Sequence, residues 1–79
     1  MQNVLVTGGA GFIGSNFIRF LLETEPAVRV TNLDALTYAG SLENLKDLPD
    51  PQRHNFVQGD INDRGLVDNL LREQQIDTI

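Results

Sequence analysis

Residues 7–14 read Thr7-Gly8-Gly9-Ala10-Gly11-Phe12-Ile13-Gly14, and the rest of the chain is arranged to serve them. They follow Val4-Leu5-Val6, whose short, continuously apolar character predicts a buried parallel strand over Asn3 to Val6. They open a helical stretch from Phe12 to about Glu25. Strand, glycine turn and helix together make a grip for phosphate. Glycine can take φ > 0 and lets a ligand touch the backbone. The first turn of a helix offers unpaired N–H groups and a partial positive charge. Gly8 or Gly9 is expected to make the tight turn, Gly11 to admit a pyrophosphate, and Gly14 to let the helix lie close to the strand.

Glycine turns are common, so the context decides. Val28 to Leu33 predicts a second strand, with Asp34 at its carboxyl end, twenty positions after Gly14. That is where a dinucleotide fingerprint needs a carboxylate for the ribose hydroxyls. The plainer reading of Asp34 is a turn or helix cap. Its distance from a glycine turn that lies between strand and helix favours ribose binding.

The chain has 79 residues and a formal charge of −5. A domain of this length buries only about 60% of its unfolded surface, and a dinucleotide-binding domain needs roughly 100–150 residues. Residues 1–79 therefore read as the N-terminal part of a dinucleotide-binding domain, with a strand beginning at Ile76-Asp77-Thr78-Ile79. The six Lys and Arg residues are scattered among eleven acids, which argues against a nucleic-acid partner. There is no cysteine, so neither a disulfide framework nor a thiolate metal site is possible. No metal-binding residues are singled out. No apolar run approaches the ~20 residues of a membrane span, and no basic n-region precedes the first strand. The expected location is the cytoplasm.

The remaining pattern continues the alternation. In the first helix Ile13, Phe17 and Leu21, with Ile18 and Leu22, predict one apolar stripe lying on a sheet. Phe17 and Phe20 are expected in the core. Ser41 reads as the N-cap of a short helix over Leu42 to about Leu48, with Leu42, Leu45 and Leu48 along its apolar edge, and Pro49-Asp50-Pro51 stops it. His54 reads as a solvated loop residue before a third strand over Asn55 to Gln58. Gly59-Asp60-Ile61 follows that strand. The Asp60 carboxylate could accept from the exocyclic amine of adenine and the Ile61 N–H could serve a ring nitrogen; alternatively Asp60 or Asn62 caps the next helix. That helix runs from about Arg64 to Gln74, with Leu66, Val67, Leu70 and Leu71 as its apolar face. The order β-α-β-(short α)-β-α-β is that of an α/β protein with a Rossmann-type, doubly wound parallel sheet. The fourth strand is expected beside the first.

Thr7 to Gly14 also fits TGxxGxxG and resembles the extended short-chain dehydrogenase/reductase superfamily. Leu33 to Leu45, with Asp34-Ala35-Leu36-Thr37-Tyr38-Ala39-Gly40 at its heart, resembles the loop after strand two of the dTDP-glucose 4,6-dehydratases. The resemblance covers essentially the whole chain. It implies NAD as cofactor, with backbone contacts from Phe12 and Ile13 to the pyrophosphate and Asp34 on the adenosine ribose. It places Ala35, Leu36 and Thr37 along the ribose and Asp60 and Ile61 at adenine. Ala35 stands where some members carry lysine. The reaction implied is internal redox: hydride leaves sugar C4, water leaves across C5–C6, and hydride returns to C6. The implied partner is dTDP-glucose, and the full-length protein is expected as a homodimer. The family's catalytic Tyr-x-x-x-Lys pair and acidic pair would lie beyond residue 79, so no catalytic residue is assigned here; Tyr38 has Leu42, not lysine, four positions on. A UDP-sugar epimerase or decarboxylase, or a non-catalytic dinucleotide sensor, would use the same turn.

Overall fold

The structure, a computed structural model, describes residues 2–36 and 42–79. Ser41, expected as a helix cap, and Thr37 to Gly40 lie outside the described residues. Strand β1 is Asn3–Thr7, helix α1 Phe12–Thr24, β2 Arg29–Asp34, β3 His54–Gln58 and α2 Arg64–Glu73. Two 3-10 turns, Leu42–Leu45 and Pro51–Arg53, lie between β2 and β3. The strands are parallel in the order β1-β2-β3, with Val4 opposite Val30 and Val30 opposite His54. On the far edge of β1, the Leu5 N–H donates to the Thr78 carbonyl at 2.8 Å and the Asp77 N–H to the Asn3 carbonyl at 2.9 Å. Chain direction across the sheet therefore reverses at β1, as in a doubly wound fold.

The two faces of the sheet meet different helices, so β1 and β2 supply apolar residues to both. Val4 and Val30 pack with Ile18, Leu21, Leu22, Val28 and Leu48 on the α1 face. Leu5 and Leu33 pack with Leu70 on the α2 face, flanked by Leu66, Val67, Leu71 and Ile76. Adjacent residues of a strand point to opposite faces, so Val4-Leu5 serves both cores.

The buried arc of α1 is the expected one only in part: Ile18, Leu21 and Leu22 are buried, Ile13 and Phe17 are not. Ser15, Ile18, Leu21 and Leu22 face the sheet, whereas Ile13, Phe17 and Phe20 are 83%, 47% and 59% exposed. At 3.6 residues per turn these three fall roughly opposite Ser15. A count of apolar residues places the stripe too far round because the buried arc includes a small polar residue, Ser15.

Arg53 closes the lower end of α1. Its Nη1 donates to the Glu25 and Val28 carbonyls at 2.8 Å each, its Nη2 to the Leu22 carbonyl at 2.5 Å, and its Nε to Asp50 Oδ2 at 2.7 Å. The last carbonyls of a helix have no partner within it, and this fork supplies one. Pro49-Asp50-Pro51 does stop the preceding segment, but the regular helix ends earlier, at Leu45. Asp47 takes φ 59°, and Arg19 draws the Lys46 and Asp47 carbonyls aside at 3.1 and 2.8 Å. Leu45 and Leu48 join the α1-side core while Leu42 is 55% exposed.

His54 is not a solvated loop residue. It opens β3, and its Nε2 lies 3.3 Å from Asn32 Nδ2. Burial pushes its pKa below the ordinary value. Helix α2 is capped by Asp63, whose Oδ1 accepts the Leu66 N–H at 3.1 Å, and not by Asp60 or Asn62. Among the described residues no helix is long and apolar enough to cross a membrane.

Candidate functional site

The three strands end on one side of the sheet, and their carboxyl ends frame a crevice of about 360 Å³ lined by Thr7, Gly8, Leu33, Asp34, Ala35, Gly59, Asp60 and Ile61. Ligands of open α/β sheets bind at such ends. Five residues singled out from sequence, Gly8, Asp34, Ala35, Asp60 and Ile61, thus meet in one place. A second groove of about 270 Å³, near Arg29, Gln52, Asn55 and Gln75, includes Asn3 at the start of β1, the wrong end of the sheet for that role.

The glycines of the turn have separate duties. Gly8 takes φ +70° and would meet nothing within 4 Å if it carried a Cβ, so it makes the left-handed turn and leaves open space before it. Gly9 is the packing glycine: a Cβ there would sit 2.2 Å from Asn32 Oδ1 and 2.6 Å from Ile18 Cδ1. A Cβ on Gly14 would sit 2.4 Å from the Gly8 carbonyl oxygen and 2.9 Å from Gly9 Cα. Gly14 therefore seats α1 against the turn itself, not against the strand proper. Gly11 is the N-cap of α1, with φ −74° and ψ 170°, a conformation open to any residue. The turn is closed by the Gly11 N–H donating to the Gly8 carbonyl at 3.2 Å, and the Ser15 N–H donates to the Gly11 carbonyl at 2.9 Å. The N–H groups of Phe12, Ile13 and Gly14 precede Ser15, in the turn whose donors a helix leaves unpaired. The side chains of Phe12 and Ile13 are 75% and 83% exposed.

Asp34 is 9% exposed and already has two partners. Its Oδ2 accepts the Ala10 N–H at 2.8 Å and its Oδ1 accepts the Leu36 N–H at 2.8 Å. An ionised carboxylate has about four acceptor sites, so each oxygen retains capacity for a ribose hydroxyl. The second bond also holds Leu36 at φ 56°, a left-handed conformation uncommon outside glycine. Leu36 is half-buried beside the crevice without lining it. Thr37 lies outside the described residues.

At the third strand, Gly59 donates to the Asp34 carbonyl at 3.1 Å, and its missing Cβ leaves room for Leu66, whose Cδ2 would be 2.3 Å away. Asp60 Oδ1 accepts the Asn62 N–H at 2.8 Å, which folds the loop. Asp60 and Ile61 are exposed. An open space before Gly8, unused helix-start donors and a buried carboxylate with spare acceptor sites fit the adenosine-pyrophosphate half of a dinucleotide.

Three residues of the surroundings carry no local sequence signal. Asn32 is fully buried beneath Gly9, Asn44 donates from Nδ2 to the Ala10 carbonyl at 2.8 Å, and Arg53 ties α1 to β2. Their partners lie 22 to 34 positions away in sequence, beyond any helical or strand period.

The family described as GDP-mannose 4,6 dehydratase matches residues 5–79. Low-salt glycan biosynthesis protein Agl12 of Haloferax volcanii is 58% identical over 75 residues, 95% of this chain and 24% of that protein. A dTDP-glucose 4,6-dehydratase of Xanthomonas campestris pv. campestris is 53% identical over 79 residues, all of this chain and 22% of that enzyme. The crystal structure of dTDP-glucose 4,6-dehydratase from Bacillus anthracis in complex with NAD superposes with a TM-score of 0.91 at 42% identity, over 96% of this chain and 24% of that one. The chain thus spans about a quarter of the length of the curated relatives it matches.

Proposed function

The chain belongs to the family described as GDP-mannose 4,6 dehydratase, and on that footing we propose that it holds the adenosine-pyrophosphate half of NAD in an enzyme that dehydrates a nucleotide sugar, with dTDP-glucose as substrate and a 4-keto-6-deoxy sugar nucleotide as product. The chain is then the N-terminal part of that enzyme's NAD-binding domain, and the full-length protein is a homodimer. Bound NAD supplies a reversible hydride acceptor for the sugar.

What this chain's residues do is bind and orient. The N–H groups of Phe12 and Ile13 meet the pyrophosphate across the space kept open by Gly8 and Gly11. Asp34 accepts from the adenosine ribose hydroxyls, with Ala35, Leu36 and Thr37 along that sugar. Asp60 and Ile61 meet adenine. The observation that supports this most is the Asp34–Ala10 bond at 2.8 Å, because it locks the ribose acceptor and the phosphate turn into one rigid unit.

The test uses the full-length protein. NAD should copurify with it or titrate tightly, and dTDP-glucose should lose one water, followed by mass spectrometry. Absence of NAD binding would sink the cofactor reading. Epimerisation of a UDP-sugar with dTDP-glucose untouched would replace the dehydratase by a sibling enzyme.

A further inference from the structure

The peptide units around Ala10 form the floor of the phosphate turn, and Ala10 is fully buried. Its N–H is taken by Asp34 and its carbonyl by the side-chain amide of Asn44, each at 2.8 Å. The next N–H, that of Gly11, is taken by the Gly8 carbonyl. The Ala10 residue is thereby fixed at both its backbone groups by two side chains from two different segments. A carbonyl oxygen so near the helix start matters, because it carries negative partial charge where an anion is to be bound. Asn44 draws it aside.

Asn44 is itself held. It lies on the 3-10 turn Leu42–Leu45. The following backbone is clamped to α1 by Arg19, through the carbonyls of Lys46 and Asp47. Leu45 and Leu48 pack into the α1-side core. The donor is therefore presented from a fastened support, which is what a positioning group needs.

We infer that Asn44 is a positioning residue of the pyrophosphate site: it acts on the diphosphate through the Ala10 carbonyl and touches no part of the ligand. This deepens the proposed function and rests on it.

Two substitutions in the full-length protein test it, by titrating the cofactor-free enzyme with NAD, ADP and adenosine. Asn44→Ala removes one neutral hydrogen bond and should weaken NAD and ADP about three- to tenfold, with a smaller loss for adenosine; the buried Ala10 carbonyl left unpaired also lowers the melting temperature of the cofactor-free protein. Asn44→Asp should weaken NAD and ADP further, since a carboxylate cannot donate to the Ala10 carbonyl and adds negative charge. Unchanged ADP affinity in both variants overturns the inference. So does an equal loss of adenosine affinity, or an equal loss of ADP affinity in Leu70→Ala, which destabilises the fold from the other face of the sheet, because either marks a merely structural role. If the unsubstituted enzyme binds no NAD, the cofactor reading itself fails, and that result is read before any variant is compared.

Discussion

The carboxylate of Asp34 accepts the backbone N–H of Ala10 at 2.8 Å, so the end of β2 and the glycine turn after β1 move as one body. The same carboxylate accepts the Leu36 N–H. A residue recognised by its distance from a glycine motif is thus also the fastener of that motif.

Asp34→Asn should behave almost as badly as Asp34→Ala. An amide has one acceptor oxygen, so one of the two backbone N–H groups would face another donor. Leaving a buried donor unpaired costs about 1–3 kcal/mol, and the ribose contacts weaken as well. Both variants should bind NAD at least about tenfold more weakly, at roughly 1.4 kcal/mol per tenfold. The unsubstituted full-length protein should prefer NAD to NADP, whose 2′-phosphate would meet the Asp34 charge without a compensating arginine at Ala35. Titration with both cofactors checks this; equal affinities would refute it.

The glycines should rank by what their missing Cβ would strike. Gly8→Ala meets open space and bears only the left-handed conformation, about 1–2 kcal/mol. Gly9→Ala presses on Asn32 and Ile18, an overpacking of about 1–3 kcal/mol. Gly14→Ala meets backbone at 2.4 and 2.9 Å, which cannot yield without moving α1, so it should be the most damaging. Denaturation of the three variants gives the order, and Gly8→Ala as the worst would contradict it.

Gly11→Val separates binding from folding. The N-cap conformation at Gly11 is open to any residue, so the fold should survive, while the side chain should fill the space proposed for the pyrophosphate. A folded variant that still copurifies with NAD would show that the turn grips something else.

Arg53→Ala should destabilise by more than about 2 kcal/mol, because it leaves three carbonyls of α1 and the turn to β2 without charge-assisted donors. Asp50→Asn, which removes only the charge of the exposed partner and suits the left-handed φ of 48° at that position, should cost under about 1 kcal/mol. Chemical denaturation of both variants distinguishes a backbone clamp from a surface salt bridge; similar losses would mean that the ion pair carries the effect.

Acidification should weaken the fold in two stages. Burial lowers the folded-state pKa of His54, so the folded form binds fewer protons than the unfolded one below about pH 6.5. Stability is full above that pH and falls as pH drops from there through the lowered folded value. Protonation would also turn Nε2 into a donor facing Asn32 Nδ2. Asp77 follows at lower pH: the Asn3 N–H first, then the Thr78 hydroxyl and the Gln2 N–H, hold its carboxyl below the ordinary value. Its contribution is present above about pH 3.9 and is lost as pH falls through its folded value. His54→Gln should flatten the melting-temperature profile between neutral pH and pH 5 and leave the acid limb intact; an unchanged profile would place the upper stage elsewhere.

The sequence by itself determined the alternation of strands and helices, the parallel sheet and the residues at the strand ends. Those features are local: apolar runs, helical spacing, a glycine turn and an acid at a fixed distance. Asp34, Asp60 and Gly8 were legible because backbone topology alone brings strand ends together. Only the tertiary structure decided which arc of α1 is buried, since Ser15 lies within it while Phe17 and Phe20 are exposed. It also decided that His54 and Asn32 meet across β2 and β3, that Arg53 clamps α1, and that Asn44 reaches Ala10. Each of those contacts joins a side chain to an atom more than twenty positions away. No periodicity encodes such a pairing, because it exists only after the sheet has set the register between the segments.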